Sequence, residues 1–162
     1  MFLLAAIAAR NRHTVLGVGH DMRDMTPDEI RAFLLEGTRT GKLGWTARDG
    51  RPHVAPIWFT LDGDDVVFNT HVDTGKSKAL HRTGQACLLV DEEVAPFGFV
   101  KIDATVSFDH DLDRVRDLAT RLGGRYMGAE RAEEYGARNG VPGEQIVRLS
   151  PTKITAVTEV SH

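Results

Sequence analysis

The sequence is poor in cysteine and lysine, and its charge is close to balanced. The single cysteine, Cys87, excludes an internal disulfide, and no CxxC or cysteine–histidine zinc spacing occurs. Cys87 lies in the apolar run ACLLV, where a buried structural thiol in a reducing cytosol is expected. The net charge is −3, and no basic stripe is interleaved with aromatics. Charge therefore favours neither nucleic acid nor an anionic membrane as a partner.

Long apolar runs are also missing. The N-terminal run FLLAAIAA has eight residues, whereas a membrane-spanning helix needs about 20. Arg10 and Arg12 follow this run, which is the reverse of the order in a signal peptide. We expect residues 1–24 to be an extension outside the core, with Met22 or Met25 as a working start, and residues 25–162 to form one domain. A surface-bound amphipathic anchor is the alternative reading of the extension.

Helical signals occur at three places besides the stretch around Gly75. Thr26, Pro27 and Glu29 form a capping box with proline at the first helical position, and this helix is predicted to end near Gly37. A second helix is predicted by an apolar stripe, and a third is predicted over residues 129–138. The stripe consists of Leu112, Val115, Leu118, Ala119 and Leu122.

Between the helices the apolar pattern has a period of two. Strands are predicted over residues 42–48, 53–60, 65–70, 85–91, 99–108, 145–149 and 153–160, with hairpin turns at Asp49-Gly50 and Asp62-Gly63. In FVKIDATVSF the apolar residues alternate with polar ones, as in a half-solvated antiparallel strand. These strands, joined mostly by hairpins, predict an α+β fold built on a small antiparallel barrel with a few peripheral helices.

Two of the five lysines lie in one short stretch, FNTHVDTGKSKALHRTG, which reads as a strand, a turn and a helix. A helix start offers free N–H groups and a partial positive charge, and therefore suits an anion. Thr74 and Ser77 add hydroxyl donors, Gly75 allows close approach to the backbone, and Lys76 and Lys78 add charge. A phosphate site is one reading of this stretch, and an ordinary solvated helix start is the other.

A second candidate lies at Pro56, inside a strand where proline is confined to edges and bulges. With Ile57 and Trp58 it would form an apolar edge suited to a flat ring, although core packing is the plainer reading of Trp58. The seven histidines show neither an HExxH motif nor an i,i+4 pair, so no metal site is expected. Rossmann, P-loop and GxSxG motifs are absent as well.

Several segments resemble one known family. The stretch FNTHVDTGKSKALHRTGQACLLVD resembles the flavin-phosphate segment of the pyridoxamine 5′-phosphate oxidase-like split barrels. The stretch RDGRPHVAPIWFTLDGDDVVFNT is similar to the opening hairpins of their actinobacterial deazaflavin branch, the F420-dependent oxidoreductases. The same likeness holds for PFGFVKIDATVSF, RYMGAERAEEYGARNGVPGE and IVRLSPTKITAV. The resemblance covers nearly all of residues 25–162 and implies a split β-barrel homodimer with its cofactor in a groove at the subunit interface.

The resemblance also implies roles for single residues. Thr70 and Lys76 match the oxidase positions that hold the cofactor phosphate, and Lys78 matches a basic position common in the deazaflavin branch. Gly75 stands where the oxidases carry an arginine, which weakens the case for FMN. No clear counterpart of the pyridoxal-phosphate-binding residues occurs near the C-terminus, so vitamin B6 oxidation is not expected. The expected cofactor-binding residues are Pro56, Ile57, Trp58, Asn69, Thr70, Lys76, Ser77 and Lys78.

The expected function is that of a cytoplasmic F420H2-dependent reductase that transfers a hydride from the deazaflavin C5 to a conjugated small molecule. Tetrapyrroles of the biliverdin kind, quinones and enones all remain open as substrates. Two alternatives also stay open: an FMN-binding oxidoreductase of the same fold, and a cofactor- or tetrapyrrole-binding protein without turnover. No residue is an evident proton donor; Tyr126 and His53 are weak candidates, and solvent can serve instead.

Overall fold

The structure, a computed structural model, describes residues 22–161. Its strands are β1 (Arg23–Asp24), β2 (Gly41–Thr46), β3 (Pro52–Ile57), β4 (Thr60–Asp62), β5 (Asp65–His71), β6 (Gln85–Glu92), β7 (Gly98–Asp109) and β8 (Glu144–Thr158). Its helices are α1 (Pro27–Leu35), α2 (Gly75–Thr83), α3 (Leu112–Met127) and α4 (Ala132–Asn139), with a 3₁₀ turn at Ala129–Arg131.

The strands form one antiparallel sheet that curls into a barrel with a gap. Seven of them follow the order β3-β2-β6-β7-β8-β5-β4, and β1 pairs with β8. The two end strands, β3 and β4, are consecutive in the chain and are joined only by Trp58 and Phe59. Three Cα steps span at most about 11 Å, so the two edges of the sheet must lie close together. The predicted α+β fold with an antiparallel split barrel is therefore confirmed.

The barrel interior is filled by side chains of its own strands. On β7, Val100, Ile102 and Ala104 are buried, and Val106 and Phe108 pack partly buried against the same core. This confirms the predicted alternation in FVKIDATVSF. Ile30 and Leu34 of α1 and Leu80 of α2 belong to the same core, which shows that both helices pack on the barrel. They are joined there by Leu43, Phe59, Phe68, Leu88, Val147, Leu149 and Ile154.

A second apolar cluster lies outside the barrel, where α3 packs on β5 and β8. Val115, Leu118 and Leu122 of α3 are buried there against Val67 and Ile146. Ala119 of the predicted stripe is buried too. Leu112 is 44% exposed, so its place in the stripe was wrong. It is the first residue of α3, where the helix has only begun to lie over the sheet.

The C-terminal part of the sheet differs from the prediction of two strands. β8 is one continuous strand, and its pairing with β7 shifts by one residue between Asp103 and Ala104. Ala104 lies opposite Pro151 and Asp103 opposite Lys153, which leaves Thr152 as the extra residue of a β-bulge. The hydroxyl of Thr152 donates to the Asp103 carbonyl at 2.9 Å. A bulge tolerates proline within a strand, which explains why Pro151 does not end β8.

The predicted strand over residues 53–60 is also interrupted. β3 ends at Ile57, and Phe59 leaves the sheet ladder. Its N–H donates to the Tyr126 hydroxyl at 3.2 Å, and its carbonyl accepts from Arg125 at 2.7 Å. Side chains of α3 thus take over the hydrogen bonds that a continuous strand would have made.

The start of α1 matches its capping signal. The Thr26 hydroxyl accepts from the Glu29 N–H, and the Glu29 carboxylate accepts from the Thr26 N–H at 2.7 Å. The helix ends at Leu35, two residues before Gly37.

Arg23, within the predicted extension, pairs with β8 through β1 and binds Glu29 at 2.8 and 3.0 Å. The extension prediction otherwise falls on residues 1–21, which lie outside the described residues.

Candidate cofactor-phosphate site

The predicted helix start after β5 is present. β5 ends at His71, a turn follows, and α2 begins at Gly75. Thr74 caps the helix: its hydroxyl accepts from the Ser77 N–H at 3.2 Å and donates to the His71 carbonyl at 3.0 Å. The Thr70 hydroxyl lies 3.3 Å from that of Thr74. The side chains of β5 and of the turn therefore organise the first helical turn.

Two backbone donors at this helix start remain free. Thr74 N–H donates to His71, and Ser77 N–H donates to the Thr74 hydroxyl. Within residues 22–161, neither Gly75 N–H nor Lys76 N–H has an acceptor. Gly75 is exposed, and a Cβ placed on it would meet no atom within 4 Å. The space around Gly75 is therefore open to an anion, next to both free N–H groups.

The two lysines of this turn differ in their surroundings. Lys78 lies 3.9 Å from Asp73, and both side chains are largely exposed, so this ion pair is weak. Lys76 is half-buried and has no carboxylate partner among the residues that the structure describes. Its charge is therefore uncompensated beside the two free N–H groups, an arrangement whose donor chemistry fits a phosphate.

The remaining predicted residues near this turn make internal contacts. Ser77 is fully buried, and its hydroxyl accepts from the Gln145 side chain at 2.5 Å. Direct contact between Ser77 and a cofactor therefore has no support in this geometry. Thr70 is 6% exposed, and the Asn69 amide donates to Glu144 at 3.0 Å. Thr70 thus supports the turn through Thr74, whereas Asn69 joins β5 to the start of β8.

The predicted ring-binding residues divide between two environments. Pro56 is exposed on β3, which is an edge strand, as expected for a proline in a sheet. Ile57 is 7% exposed and belongs to the barrel core, so its side chain does not form a ring-binding edge. Trp58 stacks on Tyr126 with ring centroids 5.0 Å apart and packs on the outer cluster. Most of the Trp58 ring therefore packs against the protein, as the alternative interpretation of Trp58 as a packing residue expects.

The two weak proton-donor candidates also differ. The Tyr126 hydroxyl donates to the Arg39 carbonyl at 2.8 Å and accepts from Phe59, and burial raises the pKa of this phenol. Its proton is thus held in an internal hydrogen bond. His53 is exposed and stacks on Trp45 with centroids 5.7 Å apart. Both rings line a pocket of about 570 Å³ between β2, β3, β6 and β7.

Cys87 was expected to be a buried structural thiol, but it is a half-buried free thiol that lines the same pocket. Burial, together with a hydrogen bond to Asp103, raises the pKa of the thiol. A thiol with a raised pKa is a poor nucleophile. The part of the chain that the structure describes contains neither a group of three or more His, Cys, Asp or Glu side chains placed for a metal ion nor a helix able to cross a membrane.

Comparison with protein families matches residues 26–158 to the pyridoxamine 5′-phosphate oxidase model. The chain belongs to the pyridoxamine 5′-phosphate oxidase family. The matched region runs from the cap of α1 to the end of β8, so family membership covers the whole barrel. Comparison with curated protein sequences gives no match.

Solved structures with the same fold include members with different described roles. The conserved hypothetical protein Rv2991 of Mycobacterium tuberculosis is 17% identical, with a TM-score of 0.75 over 90% of this chain and 92% of its own. An F420 reductase is 22% identical, with a TM-score of 0.61 over 76% and 94%. The heme storage protein HutZ of Vibrio cholerae is 18% identical, with a TM-score of 0.64 over 83% and 97%. At these identities the likeness shows a shared fold.

Proposed function

We propose that this member of the family is a cytoplasmic F420H2-dependent reductase that acts on a conjugated small molecule. The single observation that carries the proposal is the start of α2, where two free N–H groups and the uncompensated Lys76 meet at the exposed Gly75. The fold shared with an F420 reductase is consistent with this reading. Gly75, where the oxidases carry an arginine, favours the deazaflavin over FMN.

In this proposal, the protein binds the cofactor phosphate at the start of α2 through Gly75 N–H, Lys76 N–H and the Lys76 ammonium group. Lys78 adds to the positive potential of the same turn. When bound, the reduced deazaflavin supplies a hydride at C5. The protein's own contribution is to fix the phosphate, orient the ring and exclude water from the reacting carbon.

We further propose a homodimer, with the ring in a groove between the two subunits. The barrel interior is filled, so a flavin-sized ring must lie outside it. On the edge strand β3, Val54 is 70% exposed and Pro56, two residues on along the strand, is exposed as well. An apolar, unpaired edge of this kind favours association, and a second copy would cover it.

The proposal is tested by titrating the purified protein with F420 and with FMN, followed by fluorescence and absorbance. Lys76→Ala should weaken F420 binding by roughly ten- to a hundredfold, because one charge-assisted contact contributes about 1.5–3 kcal/mol. Arg48→Ala serves as a control, since it removes an exposed charge from the β2–β3 turn. Equal affinity of the wild type and Lys76→Ala at moderate salt would refute the assignment of Lys76.

The same titration separates the proposal from its two rivals. Tight binding of FMN with no binding of F420 would identify an FMN-dependent oxidoreductase of this family. Tight cofactor binding without hydride transfer to quinones, enones or tetrapyrroles would favour a binding protein without turnover. Binding of F420 together with oxidation of F420H2 by any one of these acceptors is the result that we expect.

A further inference from the structure

A single buried amide joins α2 to the sheet close to the proposed phosphate site. Gln145 lies on β8 opposite Thr70 and is fully buried. Its Nε2 donates to the Ser77 hydroxyl at 2.5 Å, and its Oε1 lies 3.1 Å from His81 Nε2. In this orientation of the amide the oxygen accepts, so the bond is made by the His81 tautomer that donates from Nε2.

The His81 side of this link is itself held in place. The imidazole ring stacks on Phe108 of β7, with ring centroids 3.5 Å apart and planes 11° from parallel. Although His81 is an exposed residue, this stacking holds one face of its ring against β7 beside Gln145. A connected set of contacts runs from Phe108 through His81 and Gln145 to Ser77, and so joins two strands to the first two turns of α2.

This link fixes the rotation of α2 about its own axis. Ser77 and His81 are four residues apart and therefore lie on the same face of the helix. Leu80 of the same helix packs in the barrel core, and the amide adds to that packing two directional bonds, one to each polar side chain. Lys76 precedes Ser77 by one residue, about 100° around the helix, so the same two bonds contribute to the direction in which its side chain leaves the helix.

An apolar side chain could occupy the buried position of Gln145. A methionine has nearly the length of glutamine and would fill the same space without requiring partners. Both polar atoms of the amide instead have a partner, and no buried side-chain polar atom within residues 22–161 lacks one. A paired polar group in a core contributes orientation, because it is satisfied in only one arrangement of the neighbouring elements.

We propose that Gln145 is a positioning residue for the phosphate site. Acting through Ser77 and His81, it holds the Gly75 and Lys76 N–H groups and the Lys76 ammonium in the arrangement that receives the anion. The inference rests on the proposed function for its ligand, but the link between Gln145 and α2 stands on geometry alone. It also gives the fully buried Ser77 a part in cofactor binding without direct contact.

The test uses Gln145→Met in the full-length protein. We expect the Kd for F420 to rise about five- to tenfold, as for the loss of one oriented hydrogen bond. The KM for F420H2 should rise similarly, while kcat at saturating cofactor changes less than twofold. In the cofactor-free protein, the Gly75 and Lys76 amide resonances should shift. Ser77→Ala should reproduce these effects in part and add little to Gln145→Met, since both act through one link.

Leu122→Val is the matched control, because it weakens packing in α3 without touching this link. If the wild type binds F420 and Gln145→Met binds it equally well, or if Leu122→Val shifts the same amides as much, the positioning role is refuted.

If the wild type binds neither cofactor, the proposed function fails, and titration with inorganic phosphate then decides the inference. Phosphate-induced shifts of both amides, weakened in Gln145→Met, would support it; their absence would overturn it. Ser77→Ala replaces Gln145→Met if the latter does not fold.

Discussion

The guanidinium group of Arg125 holds three segments of the chain together. It donates to the carbonyls of Leu34 at 2.9 Å, Gly37 at 3.1 Å and Phe59 at 2.7 Å. It also lies over the Phe59 ring, 4.8 Å from its centroid. One side chain of α3 thus binds the last turn of α1 and the connection that closes the barrel between β3 and β4. Loss of this side chain should loosen that closure.

We expect Arg125→Met to destabilise the protein by about 3 kcal/mol. Hydrogen bonds to charged groups contribute roughly 1.5–3 kcal/mol each, but three bonds from one half-buried side chain do not add, and water can replace some of them. Methionine keeps much of the packing volume, so the change reports mainly on the lost donors. For a domain of this size, the melting temperature should fall by about 6–12 °C.

Urea unfolding followed by circular dichroism measures this change, with calorimetry as a second method. Arg121→Met is the matched control on the same helix, because Arg121 is exposed and donates to one carbonyl, that of Leu61, at 3.1 Å. Because water competes for the single bond of this exposed side chain, Arg121→Met should cost at most about 1.5 kcal/mol, the lower end of that range. If Arg125→Met loses no more stability than Arg121→Met, the three-way contact does not stabilise the barrel closure and the reasoning fails.

Three further predictions follow from other parts of the structure. Removal of residues 1–21 should leave the midpoint of urea unfolding unchanged, whereas removal of residues 1–24 should lower it slightly, since Arg23 then no longer bridges Glu29 and β1 no longer pairs with β8. Equal unfolding curves of the two truncated proteins would show that β1 is dispensable. The hydrogen bond from Arg23 and those at the α1 cap lower the pKa of Glu29 to about 2. Because the carboxylate of Glu29 is protonated near pH 4.5 in the unfolded chain, its stabilising effect should be complete above that pH and be lost as the pH falls toward 2. An NMR titration of Glu29, compared with acid unfolding of Glu29→Gln, measures this effect. The proposed homodimer should bury at least about 2,000 Å² if it is obligate, so dilution in the ultracentrifuge should lower dimer content and F420 affinity together. A stable monomer with full affinity would contradict the proposal.

Features that depend on neighbouring residues could be predicted from the sequence. The capping box at Thr26 and Glu29 forms as expected, because it needs only four consecutive residues. The alternation on β7 and the cap of α2 by Thr74 are equally local. The candidate phosphate site could be proposed from the sequence for the same reason, because its exposed glycine and its lysine are adjacent residues at a helix start.

Features that join distant segments were decided by the tertiary structure. Phe59 leaves the predicted strand because Arg125 and Tyr126, more than 60 residues away, bind its backbone. β8 continues through Pro151 because β7 accepts a bulge at that point. Ser77 turns inward because Gln145, 68 residues later, supplies a buried partner. Periodicity and capping indicate the structure that a segment prefers by itself. The polar group that a buried side chain contacts depends instead on how the sheet closes. No local sequence pattern carries that information.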